Sequence, residues 1–307
     1  MRIRAFAPGT VANLGPGLDV LGLALTGPGD SVSVERSTER GIRIRDAGHP
    51  DIPTEASRNT AGIAAAKVLE IAGSPGTGLV IDVAKGLPLS GGQGGSAASA
   101  AASAVAVNAL LGSPLSREDL LDACLDAEEA VAGRHADNVA AALFGGVILV
   151  RSLDPPDIVR LSYPADLRVV LLEPEQRLRT EEARAALPRS LDRSIAIEQA
   201  AQVGALVAAL ASGDMELLGR AVRDRIAEPA RSPLLPGFAE AKAAALEAGA
   251  HGCSISGAGP AVFAFAADDD AAAKIGTAMS SAYQHRGVAA RFGVRRVDSE
   301  GARVVES

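Results

Sequence analysis

A glycine-rich segment between a predicted strand and a predicted helix is the most constraining feature of this sequence. Residues 86–99 read GLPLSGGQGGSAAS; a strand-like run precedes them at residues 78–83, and they open an Ala-rich helix predicted over residues 96–111. Glycines let backbone N–H groups approach a ligand closely, and a helix N-terminus adds unpaired donors and a positive dipole end. The segment therefore predicts a binding loop for phosphate.

Two common phosphate-binding patterns fit this segment poorly. No lysine follows the glycines, as a Walker loop requires. Residues 92–97 match the loose pattern G-x-G-x-x-A, but residues 85–90 separate them from the strand. That pattern also expects a carboxylate about 20 positions later, where this chain has none. A flexible Gly/Ser connection stays the plain structural alternative for the segment taken alone.

Composition and charge narrow the class of protein. The 307 residues are 48% hydrophobic and 22% charged with a formal net charge of −7, which is typical of a soluble globular protein with one large or two ordinary domains. The acidic balance argues against nucleic-acid binding. Cys124 and Cys253 stand far apart in apolar contexts, which indicates reduced thiols. With neither a signal-peptide pattern nor an uninterrupted membrane-length apolar stretch, we expect a cytoplasmic protein that does not bind membranes.

The hydrophobic periodicity predicts mixed helices and strands without strict alternation, so the expected fold class is α+β. Helices are predicted over residues 57–71 and 215–226, and another begins at Ser116, where S-R-E-D resembles a capping box. The polar, proline-bearing segment at residues 152–156 is the expected domain boundary. It divides the chain into residues 1–153 and 154–307.

Two further segments hold polar or small residues beside glycines. Residues 7–25, APGTVANLGPGLDVLGLAL, include Asn13 and Asp19, whose amide and carboxylate suit a small substrate with hydroxyl and ammonium groups. Both residue types are equally at home in turns, and that alternative stays open. Residues 252–265, GCSISGAGPAVFAF, surround a Gly-Ala-Gly-Pro turn that fits a tight hairpin as well as a site.

Taken in order, these three segments resemble the motifs of the GHMP kinase superfamily, which includes galactokinase, homoserine kinase and mevalonate kinase. The resemblance covers nearly the whole chain and is strongest to the homoserine kinase branch, because shorter motifs of that branch follow in order. They are HADNV at residues 135–139 with ALFGG at 142–146, T-x-x-x-R at 180–184 with LP at 187–188, D-x-x-x-E-P-x-R at 224–231 and LPG at 235–237.

The resemblance implies a two-domain GHMP kinase fold. Its N-terminal ATP-binding domain, residues 1–153, would be similar to domain 2 of ribosomal protein S5, and its C-terminal domain, residues 154–307, would be ferredoxin-like. The residues that the resemblance assigns to ATP are Asn59, Pro88, Leu89, Ser90, Gly91, Gly92, Gln93, Gly94, Gly95, Ser96, Ala97 and Ser99. Gln93 and Gly95 depart from the superfamily pattern, which has Leu and Ser at these steps.

A magnesium ion is implied between Ser96 and Glu128. Helical spacing places Glu128 on an apolar stripe, where a buried carboxylate is costly unless it is paired or metal-bound. Glu129 falls on a polar face, which favours Glu128 as the ligand. The structural alternative is a Glu128 that reaches water from the rim of the stripe.

The resemblance assigns homoserine to a set of polar and charged residues. Arg184 and Arg231 match the substrate arginines, and a guanidinium fork pairs well with a carboxylate. Asp19 is expected to bind the ammonium group. The remaining predicted substrate residues are Asn13, His135, Asn138 and Thr180. Asn13 and Arg184 are also expected to take part in catalysis, by direct in-line transfer without a general base that the sequence identifies.

The expected function is ATP-dependent phosphorylation of the side-chain hydroxyl of L-homoserine to O-phospho-L-homoserine, in threonine biosynthesis. ATP is the co-substrate, Mg²⁺ the metal, and a homodimer is implied by the resemblance. A GHMP kinase for another small alcohol (mevalonate, a sugar or shikimate) is one alternative, although paired arginines with Asp19 favour an amino acid. A non-catalytic nucleotide-binding metabolite sensor is the other, and Gly95 in the phosphate loop keeps it open.

Overall fold

The computed structural model describes residues 1–306, which form eleven strands and ten α-helices. The strands are β1 (Arg2–Ala12), β2 (Leu21–Ser37), β3 (Ile42–Asp46), β4 (Gly78–Ala84), β5 (Val147–Leu153), β6 (Pro156–Leu161), β7 (Arg168–Pro174), β8 (Cys253–Ile255), β9 (Val262–Ala266), β10 (Ala290–Arg295) and β11 (Arg303–Glu306). The helices are α1 (Thr60–Ile71), α2 (Gly95–Leu110), α3 (Arg117–Glu129), α4 (Asp137–Phe144), α5 (Thr180–Ala185), α6 (Arg193–Ser212), α7 (Met215–Ala221), α8 (Ala227–Arg231), α9 (Phe238–Glu247) and α10 (Asp269–His285).

The first sheet joins strands from both ends of the chain. Its order is β11-β1-β2-β4-β3, and β5 pairs with another part of β2 and carries β6 beyond it. Only β3 and β4 pair in parallel, and α1 lies between them in sequence. The predicted boundary after residue 153 falls at the turn of the β5–β6 hairpin, whose two strands both belong to this sheet. The division into domains 1–153 and 154–307 stays a prediction.

The second sheet has the order β10-β7-β9-β8, and all of its neighbouring strands are antiparallel. Helices α9 and α10 pack together against it around Phe238, Met279 and Tyr283. Strands β8 and β9 form the tight hairpin that residues 252–265 allowed as an alternative. Two sheets with segregated helices confirm the predicted α+β class.

Helix α2 lies at the centre of the first half of the structure. It packs against β1 and β2 and also contacts α1, α3 and α4. Its many alanines explain this position, because short side chains let several elements approach one helix closely. Twelve of its sixteen residues are buried, among them Ser103, whose hydroxyl donates to the Ala61 carbonyl at 2.7 Å. The helix therefore holds its N-terminal end in a fixed place.

Two of the predicted helices differ from the observed ones for local reasons. The helix expected over residues 57–71 begins at Thr60, because Asn59 accepts from the N–H groups of Ala61 and Gly62 as its N-cap. The helix expected over residues 215–226 ends at Ala221. The Asp224 carboxylate accepts from three successive N–H groups, those of residues 226–228, and thereby starts α8 instead. The capping box at Ser116 is confirmed.

Helix α6 is, by length and composition alone, long and apolar enough to cross a membrane. Its Leu206 and Leu210 side chains are nevertheless buried in a core that they share with Val11 and Phe263. Glu198 on the same helix pairs with Arg225 at 3.3 Å. These contacts are those of a helix packed on one side against a globular core, and the expected absence of membrane binding stays a prediction.

Candidate active site between the two sheets

Loops from both sheets surround a cavity of about 370 Å³. The predicted ligand residues that line it are Asn13, Asp19, Asn59, the residues numbered 88–96, Ser99, Glu128, His135, Asn138, Thr180, Arg184 and Arg231. Ala97 is the exception, because its side chain is fully buried in the core of the first half. Segments that are up to about two hundred residues apart in sequence thus meet at one place.

Gly94 sits at the start of α2, where no larger residue fits. Its φ of 67° is left-handed, and a Cβ there would lie 2.1 Å from Thr10 Oγ1 and 2.8 Å from Asn138 Oδ1. The first backbone hydrogen bond of the helix runs from Ala98 N to Gly94 O at 2.9 Å. The three N–H groups before Ala98 have no partner within the helix, and they are donors for an anion.

The glycine loop is held from two sides. From the first sheet, the Thr10 N–H donates to Gln93 O at 3.0 Å, and the Thr10 hydroxyl donates to Asn138 Oδ1 at 2.6 Å. From the second sheet, the Ser256 hydroxyl donates to Gly92 O at 2.6 Å. Hydrogen bonds to both halves of the structure therefore hold the loop in place. This excludes the alternative that residues 86–99 are only a flexible Gly/Ser connection.

Ser96 and Glu128 bring two hard oxygen donors together beside the loop. The Ser96 hydroxyl donates to Glu128 Oε2 at 2.8 Å, and Glu128 is only 6% exposed. Burial raises the pKa of Glu128 to about 7. Glu129 points to solvent and pairs with Arg134 at 3.3 Å, as the helical spacing predicts.

This pair of oxygens fits a magnesium ion better than a metal with an all-protein ligand cage. Within residues 1–306, no group of three or more His, Cys, Asp or Glu side chains is placed to hold a metal. Mg²⁺ is commonly bound through one or two protein oxygens together with nucleotide phosphates and waters. Ser96 and Glu128, next to a phosphate-type loop, match that donor set.

A charged group occupies another part of the cavity. Arg184 donates to Asp19 through both terminal nitrogens, at 2.9 Å and 3.3 Å, and His135 Nδ1 lies 3.6 Å from Asp19 Oδ1. Burial lowers the pKa of His135 and so favours its neutral imidazole. The guanidinium of Arg231 is buried and donates to Ala183 O and Gly257 O, at 3.2 Å and 2.9 Å. Both arginines thus line the same cavity as the Asp19 carboxylate, and Arg184 is paired with it.

Asn13 and Asp19 both adopt left-handed backbone conformations, with φ of 70° and 61°. Asn13 Oδ1 accepts from the Asp19 N–H at 3.1 Å, and Asn13 Nδ2 donates to Gly257 O at 2.9 Å. The turn alternative is therefore correct for their backbones, and both side chains line the cavity as well. Strained non-glycine residues of this kind cluster at functional sites.

The other predicted polar residues have different surroundings. The Asn59 side chain is used by the chain itself, since it caps α1 and donates to Pro53 O at 2.8 Å. The Ser99 hydroxyl donates to Asp30 at 2.7 Å rather than into the open cavity. Thr180 begins α5, one turn before Arg184 on the same helix.

Sequence reasoning missed four ionisable residues that line the cavity: the exposed Asp51 and Arg58, and the more deeply placed Asp137 and Lys85. Asp137 is 3% exposed, and burial together with the nearby Asp19 carboxylate raises its pKa to about 7. Its Oδ1 accepts from the Asn138 N–H at 2.8 Å. Lys85 directly precedes the glycine loop, and its ammonium group is nearly buried. The available signals were a carboxylate that is the one ionisable residue of the mainly apolar residues 136–144, and a lysine directly after a buried strand.

An apolar part of the lining was also missed. Side chains without charge surround the remaining space beside the loop, which suits a planar heterocycle. They are Ala47, Ile52, Pro53, Val83 and Val131, together with Leu89, which the resemblance assigns to ATP. The cavity therefore combines an apolar region, an anion-binding loop and a charged region.

Comparisons with known proteins show the family of the chain. The GHMP kinases N terminal domain family matches residues 59–146, and the GHMP kinases C terminal family matches residues 206–285. A homoserine kinase of Chlorobaculum tepidum is 41% identical over 322 residues, covering 99% of this chain and 98% of the relative. One from Arabidopsis thaliana is 43% identical over 314 residues, covering 99% of this chain and 85% of the relative.

A solved structure extends the likeness to three dimensions. The crystal structure of homoserine kinase from Cytophaga hutchinsonii superposes with a TM-score of 0.95 at 43% identity, covering 99% of this chain and 97% of that one. The GHMP kinase fold that the sequence predicts is confirmed by these matches.

Gly94→Ala tests the steric argument for the loop. We expect this variant to bind ADP at least about a hundredfold more weakly, because the added Cβ displaces Thr10 or Asn138 and strains a left-handed residue. Isothermal titration calorimetry with Mg-ADP measures the effect. Gly76→Ala is the matched control, since a Cβ at Gly76 meets open space. Equal ADP affinity in both variants would contradict the argument.

Glu128→Gln tests the burial of this carboxyl group. Because the folded-state pKa of Glu128 is raised from 4.5 to about 7, the folded protein binds more protons than the unfolded chain at pH values between these two. Stability from this group is therefore lost as pH rises from about 5 to 8. In EDTA and without nucleotide, the Tm of Glu128→Gln should rise relative to wild type over that range. Glu129→Gln should show no such trend, and a pH-independent difference for Glu128→Gln would disprove the burial effect.

Proposed function

The chain belongs to the homoserine kinase family of GHMP kinases, and from this premise we propose that it transfers the γ-phosphoryl group of ATP to the side-chain hydroxyl of L-homoserine. One observation carries the choice of acceptor: Arg184 and Asp19 are paired beside the buried Arg231 in the cavity. An α-amino acid presents an ammonium and a carboxylate on the same carbon atom, which this arrangement complements. A neutral sugar needs no such set of charges.

The nucleotide is proposed to lie between the apolar region and the glycine loop. The uncharged side chains around Ile52 and Val83 suit the adenine ring, and the N–H groups at the start of α2 suit the phosphates. Gly95 has no hydroxyl group, so Ser96 is the residue that supplies a serine hydroxyl at this part of the superfamily pattern. The backbone N–H donors do not depend on the side chains at these positions. They therefore support ATP binding although Gln93 and Gly95 differ from the Leu and Ser of the superfamily pattern.

Magnesium is proposed to be held by Ser96 and Glu128. When bound there, the ion would neutralise charge on the phosphate oxygens during transfer. Glu128 must be ionised for this role, and its raised pKa means that protons compete with the metal below about pH 7. The Ser96–Glu128 hydrogen bond keeps the two oxygens close before the ion arrives.

Homoserine is proposed to bind at the charged region. Its carboxylate would contact Arg184 and Arg231, and its ammonium would contact Asp19, so that each substrate charge replaces part of the Arg184–Asp19 pair. The residues proposed to complete the substrate site are Asn13, His135, Asn138 and Thr180. Arg184 acts by fixing the substrate. Asn13 acts mainly by holding the turn that presents Asp19, because its amide is bonded to that turn and to Gly257.

Asp137 is proposed to receive the hydroxyl proton. In the transfer, the hydroxyl oxygen forms a bond to the γ-phosphorus, the bond from that phosphorus to the bridging oxygen breaks, and the electron pair leaves with ADP. The proton moves to the Asp137 carboxylate. A carboxyl group with a pKa of about 7 is well matched to such a proton transfer near neutral pH. Positioning and charge stabilisation supply the rest of the acceleration.

We propose that this reaction, which forms O-phospho-L-homoserine, belongs to threonine biosynthesis and takes place in the cytoplasm. Cys124 and Cys253 support a reducing compartment, since both are buried free thiols. The homodimer, and the absence of nucleic-acid and membrane partners, stay predictions.

The acceptor assignment is tested by ADP release from Mg-ATP with L-homoserine, mevalonate, galactose, shikimate or no acceptor. We expect turnover with homoserine alone. Arg184→Lys should raise the KM for homoserine at least about tenfold, because a single ammonium cannot replace a two-pronged guanidinium contact. Arg179→Lys is the control, since Arg179 is exposed and pairs with Glu182 outside the cavity.

Other outcomes of this assay would change the proposal. Turnover with a different alcohol would keep the fold and overturn the substrate. ADP binding without turnover on any acceptor would favour the sensor alternative. An unchanged KM in Arg184→Lys would remove that arginine from the substrate site.

The proton-acceptor role predicts a pH dependence. At saturating Mg-ATP, kcat/KM for homoserine should fall as pH drops below about 7, because protonated Asp137 cannot accept the hydroxyl proton. Asp137→Asn should lose most of the rate and also this pH dependence. Steady-state kinetics from pH 5.5 to pH 8.5, on the order of one unit either side of that pKa, would reveal it. A variant with a low rate but the wild-type pH profile would refute the role.

A further inference from the structure

A buried ion pair between Asp30 and Lys85 lies beneath the glycine loop, and neither residue has a role in the proposed reaction. Asp30, on β2, is 0% exposed, and Lys85, directly after β4, has a side chain only 8% exposed. The Lys85 ammonium contacts Asp30 Oδ2. It also donates to Gly95 O at 2.9 Å and to Ser99 Oγ at 3.1 Å. All three of its N–H donors thus have partners.

Asp30 is equally well bonded. Its Oδ2 also accepts from the Ser99 hydroxyl at 2.7 Å, and its Oδ1 accepts from the N–H groups of Gly86 and Leu87, at 3.1 Å and 3.3 Å. Gly86 begins the glycine segment and Gly95 begins α2 at its other end. One carboxylate and one ammonium group therefore connect the two ends of the loop.

Stability alone is a weak explanation for this arrangement. Removing two charges from water costs several kcal/mol, and a buried pair typically adds little net stability over an apolar pair of the same volume. Its hydrogen bonds, however, fix backbone atoms at both ends of a segment with five glycines. Such a segment has high conformational entropy when it is free, and ordering it during ATP binding would weaken the affinity.

We propose that Asp30, Lys85 and Ser99 form a loop clamp, three positioning residues that hold the glycine loop ready for the ATP phosphates. The inference rests on the proposed function, because it assumes that nucleotide phosphates bind at this loop. Ser99, which the resemblance assigns to ATP directly, then acts through the clamp. Lys85 lines the cavity without reaching for the phosphates, since its donors are already used.

The clamp is distinguished from a general structural role by the part of the nucleotide that it affects. A preorganised loop matters to phosphates and not to the adenosine moiety. We therefore compare binding of Mg-ADP and of adenosine by titration calorimetry, in Lys85→Met, Asp30→Asn and the double variant. Lys67→Met is the matched control, because Lys67 also pairs with acidic side chains but lies on α1, outside the cavity.

Each single variant should weaken Mg-ADP binding at least about tenfold and change adenosine binding less than about twofold. The double variant should bind Mg-ADP no more weakly than the worse single variant, because it leaves no unpaired buried charge. Lys67→Met should match wild type for both ligands. Ser99→Ala keeps both charges and serves as a milder variant if a charge substitution prevents folding, with an expected loss of about threefold for Mg-ADP alone.

Two results would overturn the clamp: equal losses for Mg-ADP and adenosine, or wild-type Mg-ADP affinity in variants with normal melting curves. A wild-type protein that binds neither ligand would instead disprove the proposed kinase function. The two failures are therefore distinguishable in one set of measurements.

Discussion

The rest of the site depends on the hydrogen bonds that the carbonyl oxygen of Gly257 accepts. It accepts from Asn13 Nδ2 and from Arg231 Nη1, both at 2.9 Å, and the N–H of the same residue donates to Ala12 O at 3.2 Å. Asn13 directly follows the first strand, Arg231 ends helix α8, and Gly257 lies in the turn between β8 and β9. These bonds connect Arg231, a proposed substrate residue, and the turn that carries Asp19 to one backbone group.

The site contains strained backbone conformations and buried carboxyl groups, both of which are normally unfavourable in a folded protein. Left-handed Asn13 and Asp19 hold strained backbones, and the carboxyl groups of Asp137 and Glu128 are buried, which raises the pKa of each to about 7. Such features destabilise a free protein and favour binding of cations and proton transfer. The neighbouring alanine-rich helix α2 is closely packed and supports this strained region.

Much of the fold and of the site could be predicted from sequence, because the signals are local. The glycine loop followed by a helix, the capping box at Ser116, and Glu128 rather than Glu129 as the buried carboxylate all follow from patterns within a few residues. Asp30 and Lys85 could not be paired in this way, since 55 positions separate them and only the register of β2 against β4 brings them together. Hairpin β5–β6 was missed because its proline-bearing turn is typical of a linker.

The central claim is that one cavity between the two sheets holds an amino acid at its charged region and ATP phosphates at its glycine loop. A crystal structure with homoserine, Mg²⁺ and a non-hydrolysable ATP analogue tests it most directly. The claim predicts the amino-acid carboxylate at Arg184 and Arg231, its ammonium at Asp19, and its hydroxyl directed towards the γ-phosphate. An amino acid bound away from these side chains, or phosphates outside the glycine loop, would contradict it.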